Sequence, residues 1–124
     1  MLIKFPKDDS RFQWTRHIKG KMLYYGLSEQ RIRRVLASPN RIETGVAKDT
    51  LAAMQTKKGR KTPEEIWVMY QIKKNEKNKL QKSPRKFLMI SAWRYPGISK
   101  PGEPIPIPDD ILEELAHVQK RDYV

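Results

Sequence analysis

Apolar positions recur along this chain at two different periods, and the change of period divides it. Trp14, Ile18, Met22 and Tyr25 fall three or four residues apart, the spacing of one buried stripe on a helix. Thr15 is placed to cap that helix and Gly26 to end it in a left-handed conformation, while Gly20 weakens its middle by about 1 kcal/mol relative to alanine. Ser28 then caps a second helix, with Leu27 and Ile32 at the two positions of a hydrophobic staple. Ile32, Val35 and Leu36 are its buried side, and Arg31, Arg33 and Arg34 turn largely outward. It stops at Ser38-Pro39-Asn40, because a residue before proline avoids helical angles. Two antiparallel helices are expected.

From Arg41 the period becomes two. Ile42, Thr44 and Val46 share one face, a polar turn follows at Lys48-Asp49, and Thr50 to Gln55 forms a second short run. Two strands are the preferred reading, with one Ala-rich helix over Val46 to Gln55 as its rival. Ile66 to Lys73 is expected to be a central strand, Ile66, Val68, Tyr70 and Ile72 alternating with Trp67, Met69 and Gln71. Phe87 to Arg94 makes the last strand, with Leu88, Ile90 and Ala92 on one face and Phe87, Met89, Ser91 and Trp93 on the other. Both faces are apolar, so each is covered or one is a binding surface.

The connections differ in character. Residues 1–13 form an N-terminal arm in which Leu2, Ile3 and Phe5 alternate before Pro6 and Lys7-Asp8-Asp9, an edge strand or a frayed end. Residues 74–85 are lysine-rich and lack apolar anchors, which predicts a mobile basic loop. Five of the nine prolines lie between Pro96 and Pro108, so residues 96–108 should cross the domain as a stiff, extended segment. A final helix over 109–121 starts at Asp109 or Asp110, with Ile111, Leu112, Leu115 and Val118 in one stripe and Lys120 and Arg121 at its far end. These elements predict one α+β domain over 1–124: two N-terminal helices on an antiparallel sheet of about four strands, plus a C-terminal helix.

Charge narrows the partners. With 26 Lys and Arg against 14 Asp and Glu, the chain carries a formal charge of +12, the footprint of a polyanion binder. RNA, DNA and an anionic membrane surface all fit that charge. There is no cysteine, hence no disulfide framework, thiol nucleophile or thiolate metal site. No apolar run approaches the ~18 residues of a spanning helix, and the N-terminus does not read as a secretory signal, so a cytoplasmic protein is expected.

Residues 14–46, with the strand from Lys86 to Trp93 and its Ile-Ser-Ala-Trp-Arg ending, resemble a family of short bacterial and phage-borne proteins. The motif is His17, Met22, Gly26-Leu27-Ser28, Pro39 and Ile42. That family is distantly similar to the RelE-type messenger RNA interferase toxins, and Ile90-Ser91-Ala92 with Arg94 resembles the last-strand motif of the BrnT-type toxins among them. The resemblance implies a RelE-like scaffold, contact with RNA or the ribosome, and a small antitoxin partner. The chain departs from such toxins after that strand, where Trp93-Arg94-Tyr95-Pro96-Gly97 and the proline-rich crossing replace a helix rich in Arg and Glu.

Metal-free RNA cleavage needs a base, cations around the phosphate and an acid. His17, Lys21 and Tyr24 lie zero, four and seven residues apart, on one face of the first helix. A histidine beside a buried stripe equally serves to tether its helix to the sheet. Arg94 and Tyr95 close the last strand, and Arg60, Lys61, Arg85 and Lys86 occupy strand ends where a phosphate could be gripped. The candidate catalytic residues are therefore His17, Arg94 and Tyr95, and the candidate RNA contacts are Lys21, Arg60, Lys61, Arg85 and Lys86. Solvated surface charge is the competing reading of the latter. Trp67, Met69, Met89 and Trp93 offer either a platform for unpaired bases or a second core layer under the C-terminal helix. Adjacent acids such as Asp8-Asp9 and Glu64-Glu65 point apart, no histidine joins them at ligand spacing, and no phosphate loop or cofactor motif occurs, so neither a metal nor a cofactor is expected. Two functions remain: RNA binding, extending to metal-independent endoribonuclease activity, and a non-enzymatic module that docks a protein.

Overall fold

The computed structural model describes residues 5–58, 62–73 and 86–117. The chain runs β1 (Phe12–Trp14), α1 (Arg16–Tyr25), α2 (Glu29–Ala37), β2 (Arg41–Thr44), β3 (Leu51–Lys57), β4 (Glu64–Lys73), β5 (Lys86–Pro96) and α3 (Asp109–His117). The fold is α+β, with a five-stranded sheet in the order β1-β5-β4-β3-β2. Strands β2 to β5 pair antiparallel, and β1 adds to β5 in parallel. The sheet is thus mixed and one strand wider than the pattern predicts.

The fifth strand comes from the N-terminal arm, displaced from where the alternation of Leu2, Ile3 and Phe5 puts it. Phe5 is exposed, and the pairing residues are Phe12 to Trp14. Trp14 precedes the cap of α1, so it reaches the core from a strand and is not the first member of the helical stripe. β1 and β2 lie at opposite edges of the sheet, and α1 and α2 carry the chain across one face between them. That crossing is what makes β1 parallel to β5.

The helix ends follow the residues that specify them. Thr15 Oγ1 accepts the Ile18 N–H at 3.1 Å and donates to the Ile90 carbonyl at 3.0 Å, so one hydroxyl caps α1 and ties it to β5. Gly26 sits at φ 65°, where the Leu27 N–H reaches the Met22 carbonyl at 2.8 Å. Ser28 Oγ accepts from the Arg31 N–H at 3.1 Å, and Leu27 and Ile32 are both buried as the staple requires.

Two apolar layers sandwich the sheet. Ile18, Met22, Ile32 and Val35 of the helices and Leu27 of the turn between them pack on Ala53, Ile66, Val68, Tyr70, Met89 and Ala92. On the other face Trp67, Met69, Leu88, Ile90 and Trp93 lie beneath Ile105, Ile107 and Ile111. Trp67 and Trp93 are register partners, both wholly buried, with rings 6.3 Å apart and 11° from parallel. Trp93 Nε1 donates to the Pro106 carbonyl at 2.8 Å, fixing the proline-rich segment over the sheet. The aromatic face is therefore a second core layer, not an exposed base-stacking platform.

Strict alternation fails once in β5. Met69 opposes Ser91 and Tyr70 opposes Met89, which leaves Ile90 as the extra residue of a β-bulge. Beyond it the facing switches, so Leu88 and Ile90 share a side with Trp93, and Met89 shares one with Ala92. Met89 belongs to the helix-side core and not with Trp67, Met69 and Trp93. In α3, Ile111 is buried but Leu112 is 45 % exposed, so the two do not share one buried stripe. The expectations for residues 74–85 and 118–121 lie outside the described residues.

Candidate nucleic-acid interface

The three residues with candidate catalytic roles do not converge. His17 sits in the first turn of α1, 8 % exposed, with Nε2 2.8 Å from Ser91 Oγ. Its ring ties the helix to β5. Arg94 is three residues from Ser91, about 10 Å along the strand, and its guanidinium closes the other end of α1. Nε donates to the Tyr25 carbonyl at 2.7 Å, Nη2 to the Gly26 carbonyl at 3.2 Å, and Nη1 pairs with Glu64. Tyr95, the next residue, packs with the Trp67 and Trp93 layer on the opposite face.

The candidate RNA contacts are also dispersed. Lys21 is buried, with Nζ 2.8 Å from Asp110 Oδ2, and the Tyr25 hydroxyl donates to the same carboxylate at 2.9 Å. Burial pushes Asp110 up, but the hydrogen bonds from Lys21 and Tyr25 and the charge of Lys21 outweigh it and hold the carboxyl below its ordinary value. His17 and Lys21 are thus covered while Tyr24, on the predicted shared face, is 71 % exposed. Lys86 begins β5 and Arg94 nears its end, eight residues or about 26 Å away, so these two cannot grip one phosphate. Arg60, Lys61 and Arg85 lie outside the described residues, as does the side chain of His117.

A different group of cations does come together. Arg31 and Arg34 are one turn apart on α2, and the charges of Arg94 and Glu64 act on Arg31. The Arg31 guanidinium is pushed down from its ordinary value first by burial and then by the positive charges of Arg34 and Arg94, with Glu64 opposing. Its Nε is buried and has no hydrogen-bond partner among the described residues. Glu64 is already engaged by Arg94. Arg94 is the residue paired with Glu64, so the charges of Arg31, Arg34 and Arg94 are opposed at Arg31 by a single carboxylate, an arrangement that favours an anion. The i, i+3 spacing of Arg31 and Arg34 is visible in the sequence, but the approach of Arg94 across 60 residues of chain is not.

Arg33 points elsewhere. Arg11 and Arg33 rim a cleft of about 260 Å³ whose floor is Phe12, Tyr70 and Phe87. The Arg33 guanidinium stacks 4.4 Å from the Phe12 centroid and pairs with Asp9 and Glu29 at 3.2 and 3.0 Å. Those carboxylates balance the two arginines, so this cleft is close to neutral and the Arg31 group is the stronger anion site.

No protein-family model matches the chain, and neither a curated protein nor a solved structure does. Among the described residues no helix is long and apolar enough to cross a membrane.

Proposed function

We propose that this protein binds RNA through its phosphate backbone, with Arg31 and Arg34 of α2 as the central contacts and Arg94 fixing the end of α1, from which the chain turns into α2. The observation that carries this reading is the Arg31 guanidinium, pushed down by burial and by the charges of Arg34 and Arg94, beside a Glu64 already engaged by Arg94 and with no hydrogen-bond partner for its Nε among the described residues. A phosphate would add negative charge beside Arg31 and the exposed Arg34, and the net charge of +12 would draw a polyanion to the surface. The likeness of residues 14–46 and 86–94 to the RelE-type scaffold favours RNA as the polyanion. The reading is of binding without cleavage, since His17 is engaged with Ser91, Arg94 with the end of α1, and Tyr95 faces the other way.

The test is fluorescence anisotropy with a labelled single-stranded RNA of mixed sequence, over roughly 50 to 200 mM salt. Wild-type affinity should fall steeply with salt and the RNA should be recovered intact. Each phosphate contact on a single strand contributes about 0.7 to the slope of log affinity against log salt, so the Arg31→Gln, Arg34→Gln double variant should lose about 1.4. Lys48→Gln, an exposed substitution in the turn between β2 and β3, should leave the slope unchanged. An unaltered slope in the double variant refutes the site, and no binding by wild type at low salt refutes the function.

A further inference from the structure

We propose that the cleft rimmed by Arg11 and Arg33 takes one unpaired base of the bound RNA, its edge on the Tyr70 hydroxyl and its ring against Arg33 and Phe87. This deepens the reading of RNA binding, on which it rests, and uses none of the residues assigned to the phosphates.

Tyr70 gives the clearest sign of a ligand. Its side chain rises from β4 into the cleft and is only 6 % exposed, yet among the described residues its hydroxyl has no hydrogen-bond partner. A buried hydroxyl left open to a cleft calls for a partner on whatever enters. Burial pushes the phenol up from its ordinary value, so it keeps its proton and can donate. Every nucleobase carries a carbonyl oxygen or a ring nitrogen that accepts.

Charge and shape select a base over a phosphate. Asp9 and Glu29 offset Arg11 and Arg33, and the Phe12 and Arg11 N–H groups hold the Asp9 carboxyl below its ordinary value, which keeps it ionised. An uncharged occupant fits that balance. Phe87 and Leu36 make the lining apolar, and at about 260 Å³ the cleft falls below the roughly 300–1,000 Å³ of pockets that enclose drug-sized ligands, so it suits one flat group. Phe12 is already covered, with the Arg33 guanidinium at 4.4 Å and the Phe87 ring at 5.5 Å. Arg33 is in turn laid flat on Phe12 and held by Asp9 and Glu29 while its side chain stays 35 % exposed, so little freedom is lost when a base settles against it. The next residue is Arg34, the exposed phosphate contact, with its Cα about 3.8 Å from that of Arg33. A strand held at Arg34 therefore passes the mouth of the cleft.

The test compares a short labelled single-stranded RNA of mixed sequence with an abasic oligomer of the same length, by anisotropy at about 50 mM salt. One stacked base is worth about 5- to 100-fold in affinity, so wild type should hold the RNA at least about 5-fold tighter than the abasic oligomer. Tyr70→Phe keeps the ring and removes only the hydroxyl. It should weaken RNA binding by about 2- to 10-fold, leave the abasic oligomer unaffected and leave the salt slope unchanged, since no charge is lost. Ala37→Leu, at an exposed position beside the cleft in the last turn of α2, should crowd the mouth and bring RNA down toward the abasic oligomer. It decides alone should Tyr70→Phe unfold. Wild type that binds both oligomers equally leaves the cleft to a protein side chain and overturns the base site, while the phosphate contacts stand. A preference for RNA that survives undiminished in the folded variants puts the base elsewhere and overturns it as well. No binding of either oligomer removes the RNA reading itself, and the base site with it.

Discussion

Removing the Trp67 side chain is the most direct test of the two-layered sheet. Trp67 is wholly buried, stacks on Trp93, lies 5.3 Å from the Arg41 guanidinium and donates from Nε1 to Glu65 Oε1 at 3.2 Å. A buried tryptophan removes about 150–250 Å² from water, which at about 25 cal/mol per Å² is about 4–6 kcal/mol for the whole side chain. Truncation to alanine in a closed core costs about 3–5 kcal/mol, so Trp67→Ala should cost about 4 kcal/mol. Glu65 adds little to that figure, because it keeps the Ser99 N–H and hydroxyl at 3.1 and 2.7 Å. Domains of this size are stable by about 5–15 kcal/mol, so the variant should fold but melt early. With a urea slope of about 2 kcal/mol per molar, the midpoint should drop by about 2 M. Far-UV circular dichroism should follow the transition, since the substituted residue is one of only three tryptophans and fluorescence would change for trivial reasons. A loss under about 1 kcal/mol would refute the burial argument. Near-neutral stability with a large drop in RNA affinity would point to an exposed stacking platform instead.

Arg94→Ala should destabilise by about 1–3 kcal/mol, because the last carbonyls of α1 and the Glu64 carboxylate lose a charged donor together. Arg94→Lys should recover little, since one ammonium cannot reproduce the fork; full recovery in urea melts would show that the guanidinium geometry is irrelevant. The lowered carboxyl of Asp110 makes a pH prediction. Its contribution is fully present above the ordinary carboxylate value and is lost as pH falls through the lower value of the folded state. Thermal melts of wild type should therefore converge on those of Asp110→Asn as pH falls below about 4, and curves that stay parallel there would refute the Lys21–Asp110–Tyr25 latch.

Much of the local architecture is legible in the residues. Thr15, Gly26-Leu27-Ser28 and Pro39 bound both helices because caps, staples and proline act within one turn of chain. The alternation of Ile66 to Ile72 against Trp67 and Met69 sorts β4 between the two cores, since side chains on a strand simply alternate. The second run, read as a strand over Thr50 to Gln55, is likewise a strand, β3, over Leu51–Lys57.

What the residues alone leave open is everything that depends on a partner distant in sequence. The bulge at Ile90 is a property of two strands in register, so no pattern within β5 announces that Met89 and Trp93 face apart. β1 is three residues long, too short for periodicity to register, and it exists because the α1–α2 crossing leaves the edge of β5 free to pair. Lys21 looks like a surface cation in its own helix, yet α3 brings Asp110 to it from 89 residues away. The anion site follows the same rule: Arg31 and Arg34 are neighbours by helical geometry, but only tertiary packing, with α2 on β3 and β4, brings the charge of Arg94 to bear and buries the Arg31 Nε. Short-range sterics and hydrogen bonding write the elements into the sequence, while burial and electrostatics act through space, so the grouping of charges is decided by tertiary structure.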